Sequence, residues 1–119
     1  MDLVREKLFD YYKNPRCFGE IDGANCNSAS ESLCGDKVNV FLMVNDDVIE
    51  DAKFTGEGCA FCIASASMLI EHVLGKSVSY AKNFSSSDLF SLIGFQPVSG
   101  RVKCALLGLS VLHKALDVY

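Results

Sequence analysis

The sequence predicts one globular domain that combines an antiparallel β-hairpin with several helices. The chain has 119 residues, the size of an ordinary domain, so we expect a single domain over residues 1–119. Half of the residues are hydrophobic and 22% are charged, which is typical of a chain that buries a core. Apolar residues recur at helical spacing in some segments and alternate in another, which predicts both kinds of element.

The first half of the chain supplies one helix and the hairpin. A helix is predicted over residues 2–13 and stops at Asn14-Pro15. Residues 16–33 are rich in Gly, Asn, Ser and Ala, so we expect mostly loop with room for a short strand. The hairpin follows as VNVFLMV, the turn Asn45-Asp46-Asp47 and VIEDAKF. One face of its first strand carries Val38, Val40, Leu42 and Val44.

The second half of the chain is predicted to be helical. Residues 59–74 contain no Gly or Pro and end at Gly75-Lys76, which indicates a helix. One or two short helices are expected over residues 77–94, the second starting at the cap-like cluster 85–88. Residues 96–100 are predicted to be loop. A final amphipathic helix is predicted over residues 101–117, with Cys104 in its first turn and pointing away from its main apolar stripe.

Charge and hydropathy exclude several classes of protein. The net charge is −4 and no basic stripe is present, so we expect no nucleic-acid partner. No apolar run approaches the ~20 residues of a membrane span, and the N-terminal segment lacks the apolar core of a signal peptide. We therefore expect a soluble cytoplasmic protein without membrane contact, with an organelle matrix left open. No phosphate loop, nucleophile elbow or carboxylate pair indicates a hydrolase or a nucleotide-binding protein.

Six cysteines stand out in such a chain. In a reducing compartment they are better explained as metal ligands or reactive thiols than as disulfides, although about half could be small core residues. They are Cys17, Cys26, Cys34, Cys59, Cys62 and Cys104.

Three of these thiols and one carboxylate form a candidate metal site. In an extended Cys34-Gly35-Asp36 the Cys and Asp side chains point to the same side. Cys59 begins a predicted helix, whose dipole favours a thiolate, and Lys103 could assist Cys104 in the same way. Three thiolates and a carboxylate suit zinc or a small iron–sulfur cluster equally. The hard oxygen ligand among soft thiolates would ease release of the bound species.

Cys62 has two interpretations. It shares a helical face with Ile63, Ala66 and Ile70, which favours a plain core residue. With Cys59 it also forms the C-x-x-C spacing of thiol–disulfide oxidoreductases, a more distant hypothesis for the whole protein.

An ordered series of short motifs resembles the IscU/NifU N-terminal/SufU family of iron–sulfur cluster assembly scaffolds over nearly the whole chain. The motifs are Asn14-Pro15-Arg16, Cys34-Gly35-Asp36, Asp51-Ala52-Lys53-Phe54, Gly58-Cys59, Ala64-Ser65-Ala66-Ser67-Met68, Gly75-Lys76 and Lys103-Cys104-Ala105-Leu106-Leu107.

The resemblance implies an α+β fold in which a small antiparallel sheet of about three strands is covered by helices. It implies a non-enzymatic scaffold with ligands Cys34, Asp36, Cys59 and Cys104, in which Asp36 keeps the cluster labile. Sulfur would come from a cysteine desulfurase as a persulfide on Cys34, Cys59 or Cys104. With iron from a donor, a transient [2Fe-2S] cluster would form and pass to acceptor apoproteins.

The subtype within the family stays open. IscU members usually carry His before the third cysteine and a Leu-Pro-Pro-Val-Lys segment upstream, whereas this chain has Lys103 and Gln96-Pro97-Val98-Ser99-Gly100. The Lys-Cys-Ala-Leu-Leu ending resembles SufU, although the usual SufU insertion before that cysteine is missing. A zinc-dependent sulfur acceptor with sulfurtransferase activity is therefore the second hypothesis, in which Zn²⁺ would occupy the same site. In both cases Lys103 and Cys62 are auxiliary candidates, and we expect a monomer or a weak homo-oligomer.

Overall fold

The computed structural model describes residues 3–32, 35–94 and 99–117 of the chain. Within these ranges the elements follow in the order α1 Leu3–Lys13, β1 Cys26–Glu31, β2 Lys37–Asn45, β3 Val48–Glu57, α2 Ala60–Val73, α3 Val78–Lys82, α4 Ser86–Ile93 and α5 Ser99–Leu116. The α+β class is confirmed, and the expected short strand in the first loop is β1. No helix of the described ranges is long and apolar enough to cross a membrane.

The three strands form one antiparallel sheet in the order β1-β2-β3. The predicted hairpin is β2–β3, and its turn places Asp46 and Asp47 at φ 51° and 62°, the left-handed region that tight hairpin turns require. The predicted inward face of β2 is confirmed, because Val38, Val40, Leu42 and Val44 are all buried. The sheet therefore presents one apolar face to the helices that contact it.

Helix α2 lies at the centre of the molecule. It contacts α1, α4, α5 and β3, and its residues from Cys62 to Ile70 are all buried. A helix that is apolar on nearly every side is stable only inside a core. Its polar Ser67 is satisfied, since the Arg16 backbone N–H donates to the Ser67 Oγ at 2.7 Å. The predicted helix over residues 59–74 is confirmed, with Cys59 and Leu74 as its caps.

Helix α1 is fixed to α2 by a polar cluster near its C-terminal end. The Arg16 guanidinium lies 4.0 Å from the centre of the Tyr11 ring and forms an ion pair with Asp10 at 2.6 Å. The Tyr11 hydroxyl donates to Glu71 of α2 at 2.6 Å. These contacts tie the chain after α1 to the central helix.

The two short helices were predicted between residues 77 and 94, and both are present as α3 and α4. The Ser85 hydroxyl accepts a hydrogen bond from the Asp88 N–H, and the Asp88 carboxylate accepts one from the Ser85 N–H. This reciprocal capping box begins α4, as the cluster at 85–88 predicted. Gly94 ends the helix at φ 94°.

Helix α5 departs from the sequence-based prediction in two ways. It begins at Ser99 rather than at Arg101, so the predicted loop 96–100 is wrong for its last two residues, while residues 96–98 lie outside the described ranges. A Gly in the first turn is tolerated because backbone N–H groups there have no helical partner anyway. Cys104 therefore lies in the second turn, not the first.

The second departure concerns which side of α5 is buried. We expected Cys104 to point away from the apolar stripe, yet it is only 3% exposed. Helix α5 contacts β1 and β2 as well as α2 and α3, so both flanks of the stripe are covered. The buried residues of α5 include Cys104, Ala105, Leu107, Leu109, Val111, Leu112, Ala115 and Leu116.

A glycine sets the distance between α2 and α5. A methyl group placed on Gly108 would stand 3.1 Å from the Ala66 Cβ and 3.2 Å from its Cα. Two small residues at a helix crossing let the helix backbones approach closely. Because protein interiors are close-packed, a larger side chain at this crossing would have to displace its neighbours. Cys104 lies one turn before Gly108, and Cys62 lies one turn before Ala66, so this crossing also fixes how near the N-terminal ends of the two helices come.

Replacing Gly108 by Leu is expected to lower the free energy of unfolding by about 1–3 kcal/mol, because the new side chain must push α5 away from α2. Denaturant unfolding followed by circular dichroism measures the change. Ser110→Leu places the same side chain on the exposed side of α5 and should leave stability nearly unchanged. Equal stability of Gly108→Leu and the wild-type protein would contradict the proposed close approach.

Candidate metal centre

Three of the four predicted ligands come together in the structure. Asp36 lies just before β2, Cys59 is the residue before α2, and Cys104 lies in the second turn of α5. The ligand atoms of these three residues all lie within 4.8 Å of one another. Ligand atoms on one zinc ion are about 3–4 Å apart, so small side-chain movements would bring this set onto a metal. Cys34 lies outside the described residues.

Two hydrogen bonds between Ser32 and Asp36 hold the loop that carries Asp36. The Ser32 N–H donates to the Asp36 carbonyl at 2.8 Å, and the Asp36 N–H donates to the Ser32 hydroxyl at 3.2 Å. Gly35 between them adopts φ +92°, a conformation that residues with a Cβ rarely reach. The turn thus fixes the backbone of Asp36, and sequence reasoning missed the contribution of Ser32.

The Asp36 side chain is buried, and its two oxygens differ. The Cys59 N–H donates to Oδ1 at 3.2 Å. Oδ2 is also buried, and no described residue offers it a well-aligned hydrogen bond. A buried carboxylate oxygen without a partner is costly, by about 1–3 kcal/mol or more for a charged group. A cation bound between this oxygen and the two thiols would remove that cost, so the donor set fits a metal.

Gly58 is the second feature that holds Asp36 in place. A Cβ at Gly58 would stand only 2.6 Å from the Asp36 Oδ1 and 3.0 Å from its Cγ. The carboxylate therefore packs directly over the backbone that leads into Cys59. In the sequence, Gly58 was apparent only as a glycine adjacent to the candidate ligand Cys59. The structure shows that a larger residue at this position would collide with the Asp36 carboxylate.

The two described thiols of the group have different surroundings. Cys59 is half-buried, whereas Cys104 is buried. A hydrogen bond to the Asp36 carboxylate, burial and the nearby Cys59 raise the pKa of the Cys104 thiol to about 12. Without a metal, Cys104 is therefore protonated at neutral pH.

Cys62 lies beside the group without belonging to it. Burial, followed by the charges of Asp36, Cys59 and Cys104, raises the pKa of its thiol to about 12. Its side chain is 0% exposed, which agrees with the predicted core position. Cys62 therefore lies in the core, one turn into the helix that Cys59 caps.

The remaining predicted residues lie elsewhere. Lys103 is exposed, and it is not among the groups that shift the pKa of the neighbouring Cys104. The expectation that it assists a thiolate stays a prediction. Cys17 is half-buried and Cys26 is buried, and neither belongs to the group of ligand atoms.

Fold and donor set together define a small α+β protein with a buried centre of thiols and a carboxylate. The sequence matches the model of the NifU-like N terminal domain family over residues 3–119, and the chain belongs to this family. The predicted resemblance is thereby confirmed.

Curated relatives cover most of this chain. It is 33% identical to the zinc-dependent sulfurtransferase SufU of Bacillus subtilis, over 96% of this chain and 89% of that protein. It is 39% identical to the iron-sulfur cluster assembly scaffold protein IscU of Aquifex aeolicus, over 96% of this chain and 74% of that protein. The scaffold protein IscU of Escherichia coli K12 is 34% identical, over 96% of this chain and 91% of its own length.

Solved structures have the same fold. A crystal structure from Fervidobacterium islandicum AW-1, assigned as a cluster assembly scaffold for the SUF system, superposes with a TM-score of 0.78 at 29% identity, over 94% of this chain and 95% of that chain. The NifU-like N-terminal protein of Brucella abortus gives a TM-score of 0.80 at 19% identity, over 93% of this chain and 90% of that chain. The latter likeness concerns the fold alone.

Gly58→Ala is expected to weaken metal binding at least about tenfold, because the added methyl displaces the Asp36 carboxylate. Isothermal titration of the purified protein with Zn²⁺ measures the affinity. Gly23→Ala is the matched control: Gly23 has φ +75° and no neighbour within 4 Å of its Cβ position, so the substitution strains the backbone without touching the site. Unchanged affinity in Gly58→Ala would show that Asp36 does not depend on this packing.

Proposed function

We propose that this chain is a scaffold on which a transient [2Fe-2S] cluster is assembled and from which it is passed on. The observation that carries the proposal is the buried Asp36 carboxylate, which lies with the Cys59 and Cys104 thiols in a group whose ligand atoms are all within 4.8 Å of one another and whose Oδ2 receives no well-aligned hydrogen bond from a described residue. The IscU relatives, named as cluster assembly scaffolds, support it. The proposed ligands are Cys34, Asp36, Cys59 and Cys104.

Each described ligand contributes differently to the proposed function. Cys59 is the more accessible thiol, so iron and sulfur arriving from outside would meet it first. Cys104 and Asp36 lie deeper and would hold the cargo from the interior side. Asp36 offers a hard oxygen where cluster iron prefers sulfur, which makes it the ligand that an acceptor displaces most easily. Cys34 enters the proposal from its place in the sequence, two residues before Asp36.

The proposed partners follow from the same chemistry. A cysteine desulfurase would supply sulfur as a persulfide, an iron donor would supply the metal, and acceptor apoproteins would take the finished cluster. The cytoplasm is the proposed compartment. In this scheme the chain is a carrier, and any sulfurtransferase activity would be the first half of cluster assembly.

A zinc-dependent sulfur acceptor is the second candidate function. The relative from Bacillus subtilis that carries this description is 33% identical over 96% of this chain. Thiolates and a carboxylate also suit tetrahedral zinc, so the donor set serves either cargo. The two functions differ in what the site holds when the protein is isolated.

Anaerobic reconstitution with iron, cysteine and a desulfurase is expected to give the visible absorption and circular dichroism of a [2Fe-2S] cluster. Metal and sulfide analysis of freshly purified protein separates the two candidates. About one zinc per chain, sulfur acceptance and no stable cluster would favour the second function over the first.

Asp36→Ala is expected to slow cluster release to an acceptor by about tenfold, or about 1.4 kcal/mol in the barrier. The substitution removes the ligand that is most easily displaced, together with a buried negative charge beside the thiolates. Loss of the cluster circular dichroism on addition of an apo-ferredoxin measures the rate. Glu57→Ala removes an exposed charge at the end of β3 and should leave the rate unchanged. Release as fast as in the wild-type protein would remove Asp36 from this role.

Zinc binding is expected to release a proton from Cys104, and the apparent affinity should rise with pH. The pKa of this thiol is raised to about 12, so the metal-free site carries the proton at neutral pH, whereas a zinc ligand must be a thiolate. Titration of Zn²⁺ into weakly buffered protein with a pH indicator measures the release. Cys104→Ser should release fewer protons per bound zinc, and equal release in both proteins would contradict the assignment.

A further inference from the structure

Cys59 and Cys62 occupy the N-cap and the third helical position of α2. Cys59 has the extended backbone of an N-cap, at φ −72° and ψ 168°, and its side chain makes no capping hydrogen bond. Side chains at these two positions both lie over the first turn, where each can reach the backbone N–H of the other residue. The same relation is visible in α4, where Ser85 and Asp88 exchange hydrogen bonds of 2.9 and 3.1 Å.

The two thiols differ sharply in accessibility. Cys59 is half-buried and can meet a sulfur donor, whereas the side chain of Cys62 is 0% exposed. They lie three residues apart at the start of one helix, with the Cys59 backbone fixed as the N-cap. An external oxidant or donor cannot reach Cys62, and its accessible reaction partners are the groups beside it. This arrangement of an outer thiol and an inner one at a helix start is the one that C-x-x-C redox sites use.

Cluster assembly from a persulfide requires electrons, and a pair of neighbouring thiols can supply them. This step rests on the proposed function, in which sulfur arrives as a persulfide. The outer sulfur of a persulfide is formally at oxidation state zero, whereas the bridging sulfur of a cluster is sulfide. Two electrons must therefore be supplied for each sulfur atom. The four proposed ligands do not by themselves identify the source of these electrons.

We propose that Cys62 is the resolving thiol that releases sulfide from a persulfide on Cys59. The Cys62 sulfur attacks the Cys59 Sγ, so that a Cys59–Cys62 disulfide bond forms and the bond between Cys59 Sγ and the outer sulfur breaks. The outer sulfur leaves with the electron pair and takes the Cys62 proton. In sum, Cys59–S–SH and Cys62–SH give the disulfide and H₂S. The two cysteine sulfurs are oxidised, and the transferred sulfur is reduced.

The released sulfide would appear directly beside the other candidate ligands, where iron would be held. A dithiol reductant must then reduce the disulfide, which returns Cys59 to the ligand set. Cys104 is the competing resolving thiol because its sulfur lies within 4.8 Å of the Cys59 sulfur. It is disfavoured because a Cys59–Cys104 disulfide would remove two proposed ligands at once, whereas a Cys59–Cys62 disulfide removes one.

In the test, a desulfurase and cysteine load the full chain with sulfur, and the desulfurase and the cysteine are then removed. Sulfide release and protein mass are followed without iron or added reductant. The wild-type protein is expected to release about one sulfide per persulfide and to end two hydrogens lighter than the reduced chain before sulfur loading. Peptide mapping should then show a Cys59–Cys62 link. Cys62→Ser should keep its persulfide and release at least about tenfold less sulfide. Cys26→Ser removes another buried thiol, outside the ligand group, and should behave like the wild-type protein.

The outcomes separate this inference from the proposed function. A persulfide that persists equally in the wild-type protein and in Cys62→Ser overturns the inference and leaves sulfur acceptance intact. A disulfide that maps to Cys59 and Cys104 also overturns it. If no thiol of either protein accepts sulfur, the inference and the sulfur-accepting function both fail. Mapping the link in the unmodified chain does not depend on how well the variant folds.

Discussion

The close approach of α2 and α5 at Ala66 and Gly108 is the constraint on which the rest of this structure depends. A single added methyl would stand 3.1 Å from the Ala66 Cβ, so the two backbones are about as near as side-chain volume allows. Both helices also cover the same apolar face of the sheet. Their crossing therefore determines at once how the core is filled and how far apart the thiols near their N-terminal ends lie.

The centre itself is joined by contacts that no single element could make. Asp36 receives the Cys59 N–H, lies against Gly58 and interacts with the Cys104 thiol, so a loop and two helices meet at one carboxylate. The rigid helices fix two donors, and the loop brings the third. Ligand sites built on helix ends and supported in this way keep their geometry before cargo arrives.

Much of this architecture was predictable because its signals are local. Alternation in β2, the Gly-free stretch of α2 and the Ser85–Asp88 capping box each depend on neighbouring residues. The burial of Cys104 was not predictable, since it depends on the sheet and α2 covering opposite flanks of α5. The roles of Ser32 and Gly58 were missed for the same reason: each acts on Asp36 through contacts that a one-dimensional pattern does not contain. The donor types were apparent in sequence, but their meeting within 4.8 Å is a tertiary fact.

The buried Oδ2 of Asp36 would link the proposed cargo of this protein to its folding equilibrium. Within the described part of the chain no well-aligned hydrogen bond reaches this oxygen, so the metal-free fold carries a local desolvation penalty that the unfolded chain, with the carboxylate in water, does not. Anything that binds only the native state adds to its stability by mass action. Under the proposed function the protein would therefore be least stable just after delivery, and the loaded and empty forms should differ in their susceptibility to cellular proteases.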